Sequence, residues 1–313
     1  MAATLRLSNG YAWQLGSCDG AVAPWVSQFS SILGLDHQAA PDTRRLLFCR
    51  VRYENALEPI RHVFPFLPRE VSPEKWRRSI GHSVVFAHHP EIRDVFCGLM
   101  PATEFLSIRQ MHQALLPVYD EVILSGGLPV HGASIGFGEN GILLLGQSGA
   151  GKTTCCRRLP PRWSVLGDDM ALAVHGLGGD WMVHPLPTWS AVRSGDVQWP
   201  CSVNRALNLK ACFFLEQSKD DAVIPMSKAD SALAIHRAAI QMLRGIGHTE
   251  HGDRTAWNER VFENSVALSK MLPVHRLRVS LKGRFWEKIE AVLDKWTVPL
   301  FPAAGESLTN SKG

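Results

Sequence analysis

No stretch of this chain approaches the roughly 18 uninterrupted apolar residues that a membrane-spanning helix needs, so a membrane partner is not expected. The first residues, Met1-Ala2-Ala3-Thr4-Leu5-Arg6, lack a basic segment followed by an apolar one, so no secretory signal is read there. Cysteine is present, but never as Cys-x-x-Cys. Cys18, Cys49, Cys97, Cys155, Cys156, Cys201 and Cys212 make an odd set, which argues against a structural zinc ribbon and a secreted disulfide scaffold. Reduced thiols in a cytoplasmic protein are the expectation, with Cys155 and Cys156 packing in a helix. An excess of one charge is also missing. A net charge of +4 and a pI near 8.7 suit an anionic ligand but not the basic stripe of a nucleic-acid binder. Long repeats, low-complexity segments and obvious linkers are absent as well.

What remains is an ordinary globular chain of 313 residues, enough for one large domain or two modest ones. Residues 1–100 mix short strand-like runs, Leu46–Val51 and Ser83–Phe86, with turns at Pro65, Pro68 and Pro73, and read as a small α+β region. Phe105, Ile108, Met111, Leu115, Val118 and Val122 recur at helical spacing over Thr103–Leu124, with Pro117 kinking or splitting the helix and Gly126-Gly127 stopping it. Strands are expected at Val130–Phe137, Ile142–Leu145, Ser164–Leu166, Met170–Val174, Trp181–Val183, Ala211–Leu215 and Val274–Leu281. A turn at Gly138-Glu139-Asn140-Gly141 should join the first two, because Asn-Gly tolerates positive φ. Helices are expected at Lys152–Leu159, Lys228–Leu243, Arg260–Met271 and Arg284–Leu293. Residues 101–300 thus form the main domain, and 301–313 a flexible tail.

One motif is strong. Gly146-Gln147-Ser148-Gly149-Ala150-Gly151-Lys152-Thr153 fits G-x-x-x-x-G-K-[ST] at every defined position. Glycines let the backbone curl so that successive N–H groups point at phosphate oxygens, and the following helix adds its positive end. Lys152 would reach the β- and γ-phosphates, and the Thr153 hydroxyl would ligate Mg²⁺. A buried apolar strand precedes the loop and a helix follows it, the context that this motif requires. Loop residues Gly146 to Thr153, with Thr154 beyond them, are therefore the candidate ATP-binding segment.

Two further features lie nearby in sequence. Asp168-Asp169 follows a short apolar strand, and adjacent carboxylates become favourable beside Mg²⁺ or a substrate hydroxyl. His131-Gly132 lies on the strand that should fold back against the phosphate-loop strand, which would bring His131 near the loop.

Together these elements resemble the catalytic domain of HPr kinase/phosphorylase, a family that shares its phosphate-loop fold with ATP-dependent phosphoenolpyruvate carboxykinase. The resemblance runs from about Val130 to Val174. The remainder, including His184–Ser190 and His275–Leu281, is similar to a divergent branch of HPr-kinase-related proteins. That branch includes the SynChlorMet cassette protein ScmC and the kinases of lasso-peptide clusters. The resemblance implies an α/β, mixed-sheet P-loop kinase domain preceded by an N-terminal α+β region. It implies that Lys152 and the loop amides hold the phosphates of ATP, that Thr153 and Asp169 support Mg²⁺, that Asp168 is the general base and that His131 contacts the transferring phosphate. The acceptor would be a Ser or Thr hydroxyl of a peptide or protein. Kinases of that family assemble into rings, so a homo-oligomer is compatible with the resemblance. The family's second signature loop, rich in Glu, Ile, Arg and Gly, has no copy here; Val174–Gly179 occupies part of that stretch. Phosphorolysis, and HPr as the substrate, therefore do not carry over.

Rival readings stay open at this point: a kinase of a small-molecule hydroxyl, and a nucleotide-binding regulatory scaffold without phosphotransfer. A GTPase is disfavoured because Ser227-Lys228-Ala229-Asp230 imitates the guanine-reading motif while no D-x-x-G exists. Leu124-Ser125-Gly126-Gly127 imitates a transporter signature but reads as a helix stop. His184, Trp189 and Arg193 are candidates for an acceptor groove, since Pro185–Pro187 should force an exposed turn. His248-Thr249-Glu250-His251 resembles a metal pair only superficially, because the nearby glycines oppose a helix.

Overall fold

The computed structural model describes residues 3–36, 43–52, 59–101, 104–243 and 254–297. The expectations at His248–His251 and in the 301–313 tail lie outside them.

The first part of the chain forms a six-stranded mixed sheet from β1 (Ala3–Arg6), β2 (Ala12–Ser17), β3 (Arg44–Arg50), β4 (Arg77–Ile80), β5 (Val84–His89) and β6 (Ile92–Leu99). Helices α1 (Ala23–Ile32) and α2 (Ile60–Val63) and a short 3-10 turn at Pro73–Lys75 lie between the strands. The order is β1-β2-β3-β6-β5-β4, with β2, β3 and β6 parallel. Only β3 and β5 are evident from the sequence. β1 and β4 have four residues each and pair with the next strand in the chain, whereas β2, β3 and β6 pair in parallel across long intervening segments.

Two helices follow, α3 (Glu104–Ala114) and α4 (Leu116–Leu124). Pro117 splits them as expected, since its ring has no N–H to give but fits the first turn of α4. Gly126, at φ 89°, then ends α4.

The second mixed sheet begins with β7 (Leu128–Phe137) and β8 (Asn140–Leu145). It continues with β9 (Trp163–Gly167), β10 (Met170–His175), β11 (Trp181–Leu186), β12 (Leu207–Gln217), β13 (Ala222–Pro225) and β14 (Val274–Val279). Its order is β11-β10-β7-β8-β12-β14-β13, with β9 beside β7 and a further β11–β12 pairing that closes five strands into a ring. Helix α5 (Lys152–Arg158) follows the phosphate loop and α6 (Trp189–Ser194) follows β11. Helices α7 (Lys228–Leu243), α8 (Arg254–Met271) and α9 (Phe285–Thr297) complete the described chain. Among the described residues no helix is long and apolar enough to cross a membrane.

Two expectations need correction. The β7–β8 turn consists of Gly138-Glu139, with Phe137 paired to Asn140. Gly138 takes the positive φ, 58°, so Asn140-Gly141 is freed to begin β8. The Pro185–Pro187 stretch is not an exposed turn. Pro185 ends inside β11, and all three residues are buried. Pro185 still fits a strand because its fixed φ is compatible with extended backbone.

One apolar cluster runs through both sheets, from Leu5, Trp13 and Phe48 to Leu128, Leu143 and Val183. A second, with Leu144, Cys156, Phe213 and Phe285, packs α5 and α9 on the opposite face of the second sheet. Cys155 and Cys156 are buried in it, and all seven cysteines are free thiols. Ser227-Lys228-Ala229-Asp230 is a helix start: the Asp230 N–H donates to Ser227 Oγ at 3.1 Å, and Ser227 Oγ donates to the Asp230 carboxylate at 2.7 Å.

Candidate active site

The site is built where three strands meet. The ten-residue β7 is long enough to share one edge between two partners. Residues Ser134–Phe137 pair with β9, while Leu128–His131 pair with β10. β9 and β10 run in the same direction, so Asp168-Asp169 fills the break between them. The Gly132 N–H donates to the Asp169 carbonyl across that break at 2.9 Å. On the other edge of β7, Gly132 lies opposite Leu145, the last residue before the phosphate loop. The hairpin register therefore puts His131, the loop and both aspartates in one place, which is why segments so far apart in sequence meet.

Gly132 leaves no room for a side chain unless Leu145 shifts. A Cβ there would lie 2.4 Å from Leu145 Cδ2 and 3.1 Å from the Leu144 carbonyl. The phosphate loop needs glycine for a different reason: Gly146, Gly149 and Gly151 all have positive φ. At the end of β12, Gln217 Nε2 donates to the Gly149 carbonyl at 3.0 Å and steadies the loop.

Lys152 is only 7% exposed. Its Nζ donates to the Gly146 carbonyl at 2.9 Å, the Gln147 carbonyl at 3.3 Å and His131 Nε2 at 3.0 Å. Because an ammonium group only donates, Nε2 must accept, and the neutral ring carries its proton on Nδ1. That nitrogen lies 3.3 Å from Asp169 Oδ1. Burial, then the Lys152 charge, lowers the His131 pKa, partly offset by Asp169. Burial also lowers the Lys152 pKa, against the two aspartates, and raises that of Asp169 against His131 and Lys152. A lysine, a neutral imidazole and a carboxylate thus form one polar row.

Asp168 is bound differently. The Thr153 hydroxyl donates to Oδ2 at 2.6 Å, and the Thr188 hydroxyl donates to Oδ1. Both oxygens of this carboxylate, 6% exposed, already have donors. Thr188 immediately precedes α6, yet its side chain makes no cap to that helix; the hydroxyl goes to Asp168 instead. The sequence reading missed Thr188. A Thr directly before Trp-Ser-Ala-Val was the available signal, obscured by the two prolines.

A cleft of about 270 Å³ opens beside the two aspartates, lined by Thr153, Arg157, Thr188, Ser190, Ser194 and Trp199 among others. Arg157 Nε donates to Gln198 Oε1 across it at 2.9 Å. Of the three groove candidates, none lines this cleft. His184 is buried, its ring nitrogens contacting Ser8 Oγ at 2.8 Å and the Val203 carbonyl at 2.8 Å. Trp189 is buried against Phe29 and His112. Arg193 is exposed outside the cleft. One wall of the cleft comes instead from their neighbours Ser190, Ala191 and Ser194 on α6. Gln147, Ser148, Gly149 and Thr154 are exposed, and Gly146, Ala150 and Gly151 are half-buried.

A family model described as SynChlorMet cassette protein ScmC matches residues 95–294. The chain belongs to the SynChlorMet cassette ScmC family. The match takes in β6 from Val95 onward, the phosphate loop, the aspartate pair and the cleft. It leaves most of the first sheet outside the family's shared region. No curated protein matches the chain.

Proposed function

We propose that this ScmC-family chain is an ATP-dependent kinase of the HPr-kinase-like P-loop type. It transfers the γ-phosphate to a Ser or Thr hydroxyl of a peptide or protein. The observation that carries this reading is the meeting of Lys152, His131 and Asp169 in one row beside the Thr153–Asp168 pair, with Thr153, Asp168 and Asp169 lining a hydroxyl-bearing cleft.

The residues fit both implied groups. Gly149 and Gly151, with left-handed backbones, lie in a loop that a Cβ at either position would meet unobstructed, and Lys152 already points into the loop's curl. For Mg²⁺ the donor set is one hydroxyl and one or two carboxylates. That suits an ion which takes its remaining ligands from phosphates and water. Among the described residues no cluster of three or more His, Cys, Asp or Glu could hold a metal ion. Mg²⁺ would neutralise charge developing between the β- and γ-phosphates.

In this reading Lys152 leaves its carbonyl partners to pair with phosphate oxygens, and neutral His131 stays within reach of the same oxygens. The geometry favours exchanging the two aspartate roles implied by the resemblance. Asp168, bonded to the Thr153 hydroxyl, sits on the metal side. Asp169, its proton affinity raised by burial, suits the acceptance of a hydroxyl proton.

A phosphotransfer assay tests this with wild type, Lys152→Ala, Asp168→Asn and Asp169→Asn, read by mass spectrometry on peptides encoded beside the gene. Addition of one phosphoryl group to a peptide, lost in Lys152→Ala, is the expected result. Asp169→Asn should lower transfer by about 10²–10⁴-fold with ATP still bound. Asp168→Asn should raise the Mg²⁺ concentration required. ATP binding without transfer to any acceptor would overturn the reading in favour of a regulatory scaffold. The small cleft favours a second reading, a kinase of a small alcohol, which label appearing in a metabolite and not a peptide would support.

A further inference from the structure

A groove of about 1330 Å³, larger than the cleft beside the aspartates, lies on the first sheet, built almost wholly from residues that precede the family match. Its floor follows from topology. β2, β3, β6 and β4 all begin at the same end of that sheet, where β1 and β5 finish, and the terminal residue of every strand lines the groove. These include Arg6 of β1, Arg44 of β3 and Arg77 of β4, joined by Arg93 one residue into β6.

The charge is uneven. Among the lining residues, the five cations Arg6, Arg44, Lys75, Arg77 and Arg93 accompany two carboxylates, Glu91 and Glu121. Arg44 contacts Glu121 at 3.4 Å and lies over the Trp13 ring, while Lys75 pairs with Glu91. Positive charge remains at both ends of the row, at Arg6 and at Arg77.

We propose that this groove binds an extended, acidic stretch of polypeptide. Six strands at about 4.8 Å spacing span about 24 Å, the length of about seven extended residues. A peptide presents side-chain carboxylates to the arginines and backbone N–H donors to Glu91 and Glu121. A nucleic acid would bring phosphate charge against both carboxylates and would find Tyr11 as the single Phe, Tyr or Trp ring among the lining residues.

The groove also lies within reach of the candidate active site. Its Gly10 end packs against Leu177, in the β10–β11 turn, whose N–H donates to the Ser8 carbonyl at 3.0 Å. Strand β10 runs from that turn back to Asp169. At about 3.3 Å per residue the separation is about 20–25 Å. A bound acidic stretch could therefore belong to the phosphate acceptor, with a spacer of about seven residues before the reacting hydroxyl. That assignment rests on the kinase reading; binding by the groove does not.

The test is fluorescence anisotropy with fluorescein-labelled octaglutamate and the full-length protein, without ATP. Octaglutamate should bind, and binding should weaken as NaCl rises from about 50 to about 300 mM, because the screening length shortens. Arg6→Glu and Arg77→Glu, at opposite ends, should each weaken it about five- to tenfold, and the pair about multiplicatively. Arg6→Gln and Arg77→Gln should show smaller losses in the same order. Thermal unfolding midpoints within a few degrees of wild type would confirm that every variant is folded. Tetraglutamate should bind at least about tenfold more weakly. No octaglutamate binding, binding indifferent to all four substitutions, or a dT8 oligonucleotide binding tighter than octaglutamate would each overturn the proposal. Phosphotransfer is not read in this experiment, so the groove and the kinase reading can fail separately.

Discussion

Replacing Thr188 with Val isolates one contact of the site. Val has nearly the same shape as Thr but no hydroxyl, so only the bond to Asp168 is lost. The usual complication, loss of a helix cap, does not arise, because the Thr188 side chain does not cap α6. The carboxylate is buried and keeps a single donor, Thr153. Hydrogen bonds to charged groups contribute about 1.5–3 kcal/mol, and a buried acceptor left short of a donor costs a similar amount. Thr188→Val should therefore destabilise the protein by about 1.5–3 kcal/mol, a fall in Tm of about 2–5 °C for a chain of this length. Thr188→Ser, which restores the oxygen, should recover most of that loss. The assay is thermal unfolding followed by circular dichroism, in parallel with the phosphotransfer rate. Transfer should fall in Thr188→Val and recover in Thr188→Ser, since an Asp168 free to rotate no longer holds its place beside Thr153. A Thr188→Val protein that melts with wild type, or a Thr188→Ser protein as damaged as Thr188→Val, would refute the argument.

Three further outcomes follow from the structure. His112 has a buried Nε2 with no partner among the described residues, and burial lowers its pKa from 6.5 to about 4. Between those values the unfolded chain binds the extra proton, so the contribution to stability is full above about 6.5 and falls as the pH drops toward 4, by about 2 kcal/mol at pH 5. Urea unfolding of His112→Phe at pH 7 and pH 5 should show a flatter dependence than wild type. Gly132→Ala forces a methyl against Leu145 and the Leu144 carbonyl, and should cost about 1–3 kcal/mol in denaturant unfolding while weakening nucleotide binding through the displaced His131. Buried Asn264 donates Nδ2 hydrogen bonds to the carbonyls of Ile123 at 2.7 Å and Gly127 at 2.9 Å, so Asn264→Ala should lower the unfolding free energy by about 2–4 kcal/mol.

The two halves of the chain differ in how far sequence reveals them. From Leu128 onward most strands are apolar runs bounded by glycine and proline; the four-residue β13 was not legible, but the other seven of the eight positions were. So was the approach of His131 to the phosphate loop, because a two-residue turn fixes the register between β7 and β8. Most of the first sheet was hidden: β2, β3 and β6 pair in parallel across long intervening segments, and the four-residue strands Ala3–Arg6 and Arg77–Ile80, though each pairs with the next strand in the chain, are too short to show a clear alternation. Thr188 was hidden for another reason. Its contact with Asp168 depends on β11 lying beside β10, and the prolines around it suggested an exposed loop where the fold places a buried strand end.

The sharing of strand edges has a consequence for how the molecule forms. β7 divides one edge between β9 and β10, and β12 likewise divides one between β11 at its start and β14 at its end. The β7–β8 hairpin closes over two residues, but the parallel pairing of β8 with β12 sets Asn140 beside Asn208, and that of β12 with β14 sets Cys212 beside Val274. Closing such loops costs entropy that grows with the logarithm of their length, so these pairings form later. As the chain leaves the ribosome, the phosphate-loop hairpin can assemble early. Gln217, which steadies Gly149, arrives only with β12, and Cys212 finds its partner only when the chain has been made as far as Val274. A polypeptide truncated before β14 would carry every residue of the site yet lack a strand beside β12, and its newly exposed strand edge would be open to pairing with another chain.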